Sequence, residues 1–384
     1  MFGVIRSNAL HLARQHFLEE ELGRRRSLEV LLEVCDKDAA EDTIGNLGRV
    51  THVFECIPYV SAVLPQQDIR RMLGRHNGEF RRIIKDVQAS ATVSLPKATR
   101  AKTGSLWNLE NIGAYDAWEY STGQGVKVAI IDTGAEYTHP EIEGCFESNK
   151  GYDFVGNSRD PIDRQGHGTH VSGICAGKEY GVAPGCTLYA VRVLDENGSG
   201  SESNVIAGIE WAIKNGMDVA NLSLGSPVAS SAFENICWYA AEKGLILVAA
   251  AGNDGGVHAS YPAAFGEPVI AVAASDRDNE HAEFSNIFRT NDVTGPGVGI
   301  ASAYLNRGYA TFSGTSMAAP HVSGSIALAL PVAGQGDMYG LVESTAKKIG
   351  DGDRDVYGAG LVRADAMVRG GKPGWLDLIK GIVW

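Results

Sequence analysis

The chain has 384 residues, 44% of them hydrophobic, with 47 glycines and a net charge of −12. That length suffices for two or three domains of about 100–200 residues each, and the composition is that of a globular, turn-rich α/β protein. The acidic balance disfavours nucleic acid and anionic membrane as partners. No run of about 18 apolar residues marks a transmembrane helix. The charge is unevenly spread. Residues 1–100 hold 15 Lys and Arg against 13 Asp and Glu, and residues 101–384 hold 19 against 33.

Residues 1–26 place Leu10, Ala13, Phe17 and Leu22 at helical spacing, beside an acidic triplet (Glu19–Glu21) and a basic one (Arg24–Arg26). This reads as a helical extension. It has no apolar core segment or small-residue cleavage site, so it is not a secretory signal, and the acidic triplet argues against a transit peptide. With Met1 as the native start the protein is cytoplasmic; with a leader removed ahead of it, it is secreted.

Residues 27–90 read as a small α+β unit. Leu28, Val30, Leu32 and Val34 alternate along a strand from Ser27 to Val34, as a strand with one face on a core requires. A helix is expected over 38–47, with Asp38 near its start and Gly48 after it. One or two strands follow over 51–64, a helix opens at Pro65–Asp68 and ends by Gly74, and a last strand covers 80–87. That β-α-β-β-α-β order fits a split-βαβ fold. Cys35 and Cys56 fall in two predicted strands of this unit as candidate neighbours. The six cysteines form no C-x-x-C pattern, so buried free thiols are as compatible as disulfides. Residues 89–105 are rich in Ser, Thr, Ala and Lys, and read as a linker.

From Trp107 onward strands and helices alternate. Strands are expected at 126–131, 187–193, 218–222, 245–250 and 269–273, and helices at 167–176, 203–214, 231–243 and 316–330. This predicts a parallel sheet with helices on both faces. The run Val126–Ile131 is nearly all apolar, as a strand covered on both faces should be. It ends in Asp132-Thr133-Gly134, so Asp132 lies at the carboxyl end of a core strand, where open α/β sheets place their sites. Its expected role is to accept a histidine Nδ1 proton and steady the imidazolium. Gln165-Gly166-His167-Gly168-Thr169-His170 supplies the base. His167 is assigned because glycines flank it at the start of a helix. His170 reads as a structural histidine, and the pair lacks the glutamate and spacing of a zinc H-E-x-x-H site.

A further core strand, Leu245–Ala251, ends at Gly252-Asn253, and the amide of Asn253 is a candidate oxyanion donor. In Gly314-Thr315-Ser316-Met317-Ala318 a serine follows a glycine turn and opens an alanine-rich helix. Unpaired N–H groups and the positive dipole end collect at such a terminus. Ser316 is the candidate nucleophile, with His167 as its base.

The chain order Asp132, His167, Ser316 is the subtilisin order of these three residue types. On these four motifs, residues 107 to about 368 resemble the subtilisin-like serine proteases. The stretch Ser172–Tyr189 and the run Val193–Gly200 look most like the proteinase K branch. The resemblance implies a three-layer α/β catalytic domain over 106–370, with a tail at 371–384. Ahead of it, it implies an inhibitory pro-domain over 27–90 and a linker over 91–105 holding a processing site between 88 and 104. It further implies a self-processing serine endopeptidase acting on peptides and proteins. Its rivals are a transpeptidase on the same acyl-enzyme and a permanently inhibited, non-enzymatic module. Gly198, Ser199 and Gly200 should flank the substrate on one side. Ser223, Leu224 and Gly225, with Ala250 and Gly252, should wall the pocket for the residue before the cut. Ser260 or Tyr261 would form its floor and Asp254 its rim. Such a pocket predicts a preference for large apolar residues. No cofactor is required for the chemistry. A structural calcium is expected at most weakly, at Asp292 with carbonyls near Gly266 and Val269. The loop of the family's tight calcium site is short here, between Gly177 and Gly181. Asp351, Asp353 and Asp355 imitate the start of a calcium loop, but Val356 and Val362 stand where Gly and Glu are needed.

Overall fold

In the computed structural model, residues 27–74, 80–91, 94–98 and 106–370 are described. The extension over 1–26 and the tail over 371–384 lie outside the described residues. The N-terminal unit follows the expected order: β1 (Ser27–Val34), α1 (Lys37–Gly45), β2 (Arg49–Val53), β3 (Tyr59–Pro65), α2 (Gln66–Gly74) and β4 (Phe80–Lys85). The four strands form an antiparallel sheet in the order β2-β3-β1-β4. Asp36 caps α1, accepting from the backbone N–H of Asp38 and Ala39, so the helix starts one residue before the expected Asp38. Leu28, Val30, Leu32 and Val34 point into this unit's own core. Leu31 points the other way and joins Phe54, Ile57 and Tyr59 against the second unit. The sheet is therefore covered on both faces, which is why β1 reads Val-Leu-Leu at its centre.

The second unit is built on a seven-stranded, wholly parallel sheet in the order β15-β14-β13-β11-β7-β9-β8. The strands are β7 (Lys127–Asp132), β8 (Gly151–Asp153), β9 (Thr187–Arg192), β11 (Val219–Leu222), β13 (Ile246–Ala250), β14 (Val269–Ser275) and β15 (Asn291–Pro296). The helices that matter for the site are α3 (His167–Ala176), α4 (Glu202–Lys214), α5 (Ser231–Glu242) and α6 (Thr315–Ala333). One face packs α3 and α6 into one core, and the other packs α4 and α5 into a second. By length and hydropathy α6 resembles a membrane span, but it is the central core helix and is buried over most of its length.

The N-terminal sheet sits on α4 and α5. The backbone N–H of Cys56 donates to Glu210 (2.6 Å), and the Tyr59 hydroxyl pairs with Ser231 Oγ (3.0 Å). His52 Nε2 meets Asn204 Oδ1 at 3.1 Å. No disulfide joins cysteines among the described residues, and Cys35 and Cys56 both lie outside the strands.

The segment read as a linker is in part strand. β5 (Gln88–Ala91) is the central strand of a small antiparallel sheet, between β10 (Ser199–Ser201) and β12 (Leu224–Gly225). β6 (Ser94–Ala98) pairs antiparallel with β17 (Gly308–Ser313), which also pairs with β16 (Ile300–Tyr304). Composition missed this because partners distant in sequence supply the hydrogen bonds, and β-propensity is largely context.

Candidate active site

Two polar side chains, Asp132 and His167, meet at the carboxyl end of the large sheet. Asp132 closes β7, fully buried, and its Oδ1 accepts from His167 Nδ1 at 2.7 Å and from the backbone N–H of Thr133 at 2.7 Å. His167 opens α3. Gly166 before it has φ +105°, and a Cβ there would lie 2.1 Å from the Tyr304 ring. Gly168 after it is as tight, because a Cβ there would meet the carbonyl oxygen of Gly134 at 2.1 Å. These two glycines let the histidine turn sit directly on the Asp-Thr-Gly turn.

Asp163, which the sequence reading missed, ties these turns together. Its Oδ1 accepts from Thr133 Oγ1 and from the N–H groups of Gln165 and Gly166, and its Oδ2 from the N–H and Oγ1 of Thr169. Burial raises its pKa, against the bonds from Gly166, Gln165 and Thr169. Its position just before a glycine turn and a helix start was the available signal, since Asp favours such capping positions.

Ser316 lies in the first turn of α6, after Gly314. Its Oγ donates to the Ser223 carbonyl (2.9 Å), and its own carbonyl accepts from Ser223 Oγ (2.8 Å). His167 Nε2 is buried and has no hydrogen-bond partner among the described residues. Serine–imidazole bonds of this kind often form only when substrate is bound. Asn253 follows β13, and its Oδ1 accepts from both the N–H and the Oγ1 of Thr315 (2.9 Å each). The amide oxygen is thereby held at the start of α6. Thr315 is a second residue that sequence reasoning did not single out. The other histidines differ from His167. His170 Nε2 meets the Ala310 carbonyl (3.1 Å), its ring stacks on Phe312, and burial pushes its pKa down to about 3. Burial pushes His321 down to about 4.

The expected substrate-flanking residues divide. Ser199, Gly200, Leu224 and Gly225 hydrogen-bond along β5, and Gly198 accepts from the Ala91 N–H (2.9 Å). Gly225, Asn253, Asp254 and Ser260 line a cavity of about 350 Å³ together with Ser90, Ala91 and His258. Ala250 does not wall it: as the last residue of β13 it is fully buried in the core. Gly252 packs against Asn286 and Ser260, leaving no room for a Cβ. The Asp254 carboxylate accepts from the Asn286 amide (3.2 Å). Tyr261 is tied by backbone bonds to Ser226, and Ser260 alone of the two expected floor residues lines the cavity.

Asp292 does not fit the calcium expected there. Its carboxylate accepts from the Tyr339 hydroxyl and from the Ala271 N–H (2.7 Å), so both oxygens face donors instead of a cation. Burial, the main cause, lifts its pKa to about 6. At the short loop, Glu141 accepts from the N–H groups of Glu179 and Tyr180 (2.6 and 2.8 Å). Asp351 and Asp353 accept backbone N–H bonds within their own exposed turn. No group of three or more ligand-type side chains suited to a metal occurs among the described residues.

Residues 123–360 match the model of the subtilase family (peptidase S8). An alkaline protease of Alkalihalobacillus alcalophilus is 35% identical over 385 residues, covering 96% of each chain. Subtilisin Savinase of Lederbergia lenta is 41% identical over 272 residues, covering 98% of that protein but 68% of this chain. A thermophilic serine proteinase of Bacillus sp. (strain AK1) is 44% identical over 254 residues, 63% of this chain and 62% of that one. With its parallel sheet, its flanking helices and this match over more than half its length, the chain belongs to the subtilase family and is a subtilisin-like serine endopeptidase.

Proposed function

We propose that this protein is a self-processing zymogen whose N-terminal unit is its own first substrate and then its inhibitor. In this reading Ser316 attacks the peptide carbonyl. His167 takes the serine proton and passes it to the leaving amine. Asp132 holds the histidine tautomer, and Asn253 with the Ser316 backbone N–H holds the oxyanion. The observation that carries the reading is the ladder of β5 between β10 and β12, since an extended peptide added as a strand is how such a cleft takes substrate. Gly225 takes Ser90 and Leu224 takes Ala91. Carried one residue beyond the observed pairs, the register would give Ser223, whose carbonyl accepts from the Ser316 hydroxyl, to Thr92. The cut is therefore Thr92–Val93. The test is N-terminal sequencing of the processed protein, which should begin at Val93. A start three or more residues away would contradict the register. The cavity of about 350 Å³ beside Gly225 and Ser260 supports a broad preference for sizeable apolar residues in added substrates.

Replacing Asn253 with Ala should lower kcat about 10²–10³-fold, the size known for the matching change in a subtilisin. KM should change little, because the bond is made chiefly in the transition state. Steady-state kinetics on one fluorogenic peptide decide this.

Retention of the cut N-terminal unit should depend on pH. Asp86 accepts from the Ser203 N–H (3.0 Å) at the start of α4. Burial lifts its pKa from 3.8 to about 7; the Glu29 charge adds to this, and the bonds to Ser203 and Glu202 oppose it. A carboxyl whose pKa is raised by docking binds its proton more tightly when docked. Its contribution is thus complete below pH 3.8 and is lost as the pH rises through about 7. Gel filtration of sulfonyl-fluoride-treated, processed protein should show the fragment retained at pH 5 and leaving more readily at pH 9. Asp86→Asn should flatten that difference.

A further inference from the structure

A pair of thiols flanks the short loop after α3 and takes no part in the chemistry described above. Cys175 is the last residue but one of α3, the helix that His167 opens, and Cys186 stands immediately before β9. The chain between them doubles back onto the helix. The N–H groups of Val182 and Ala183 donate to the carbonyls of Ile174 and Cys175 (2.9 Å each), and the Ala183 carbonyl accepts from the Cys186 N–H (3.2 Å). Ala183 is thus bonded to both cysteines. Both also pack on α6, one turn apart. A Cβ at Gly324 would lie 3.0 Å from the Cys175 carbonyl oxygen. A Cβ at Gly123 would lie 3.3 Å from both Cys186 Cβ and the Ala327 carbonyl oxygen. The two thiols meet within this core, each at most 2% exposed. A third thiol nearby is committed elsewhere, since Cys145 Sγ donates to the Ala176 carbonyl (3.0 Å).

The pair joins two elements of the site. β9 runs beside β7 along its whole length, with Arg192 opposite Asp132. A bond between Cys175 and Cys186 would tie the helix that carries His167 to the sheet that carries its aspartate.

We propose that Cys175 and Cys186 form a disulfide when the chain folds in an oxidising medium, stapling the helix of His167 to the central sheet. The contact with the Cys175 thiol and burial hold the Cys186 thiol well above its ordinary range. The thiolate is the reactive form, and buried thiols are inert, so the step belongs to the folding chain, before the core closes. With a low-molecular-weight disulfide such as oxidised glutathione, the Cys175 thiolate attacks one sulfur and releases one glutathione. The Cys186 thiol then loses its proton and displaces Cys175-bound glutathione. Two protein thiols are oxidised to one disulfide, and one glutathione disulfide is reduced to two glutathiones. Once formed, the bond is shielded from reductant by the same core.

The test uses the full-length Ser316→Ala chain, which cannot cut itself. It is unfolded and refolded with oxidised or with reduced glutathione, and the same two buffers are applied for a day to the chain as purified. Trypsin cuts after Arg164, Lys178 and Arg192, which puts the two cysteines on separate peptides, 165–178 and 179–192. The oxidised sample should yield these two peptides joined, two hydrogens lighter than their sum and separated by reductant. Its Tm should exceed that of the reduced sample by about 5 °C. The gain from oxidation should vanish in Cys186→Ser and persist in Cys145→Ser, each variant being compared with its own reduced form. Absence of the joined peptides from both procedures, Cys145 in place of either partner, or joined peptides with no gain in Tm would overturn the inference. None of these results bears on the protease reading.

Discussion

Ser316→Ala should lower kcat on a fluorogenic peptide about a millionfold, the size known for loss of the serine in a subtilisin. The physical reason is that no second nucleophile stands in its place. Ser316 occupies the first turn of α6, where backbone N–H groups outside the intrahelical ladder and the positive dipole end favour an anion. An alanine there keeps the helix start, Thr315 and its hold on Asn253, so the fold and the oxyanion donors survive. What remains should be the residual acceleration of about 10³–10⁴ over water that the donors and binding supply alone. Stopped assays at high enzyme concentration, with circular dichroism to show an unchanged fold, separate loss of chemistry from loss of structure. Activity within a hundredfold of the native protein would remove Ser316 from its role.

Asp132→Asn should cost about 10⁴-fold in kcat with little change in structure. Asp132 is wholly buried, and its Oδ1 is the acceptor for both His167 Nδ1 and the Thr133 N–H. An asparagine can accept through its oxygen or offer its NH₂, but not both at one position. Because one oxygen serves both partners, an amide that turns its NH₂ toward His167 Nδ1 also gives up the Thr133 N–H. His167 then adopts the tautomer with the proton on Nε2, and that nitrogen can no longer accept the serine proton. The loss should shrink as the pH rises and hydroxide competes as base, so the pH profile distinguishes this cause from simple unfolding. A variant with near-native kcat would show that Asp132 is only a structural carboxylate.

Much of this site was legible because parallel strands buried on both faces leave continuous apolar runs. Val126–Ile131 and Leu245–Ala251 are such runs, and polar residues end each where α/β sheets place chemistry. What stayed hidden was made by distant partners. β5 and β6 carry the Ser, Ala, Lys and Pro of a linker, and become strands because residues 199–201, 224–225 and 308–313 offer them edges. β15 reads Asn-Asp-Val-Thr-Gly-Pro, a loop by composition, yet every residue is buried beside β14. That context also explains why Asp292, expected to hold a cation, instead braces Tyr339 and the Ala271 N–H. Asp163 and Thr315 brace the site through hydrogen bonds to turns brought together by the fold, and only Asp163's place before a glycine turn and a helix start signalled either of them.

The central claim is that one active site first cuts its own chain and is then covered by the product. Intact mass of freshly purified native protein and Ser316→Ala, followed over hours, tests it most directly. The account predicts that the native protein alone resolves into two pieces, the larger beginning at Val93, while Ser316→Ala stays whole. Both proteins staying whole while the native form still cleaves added peptide, or both being cut alike, would contradict it.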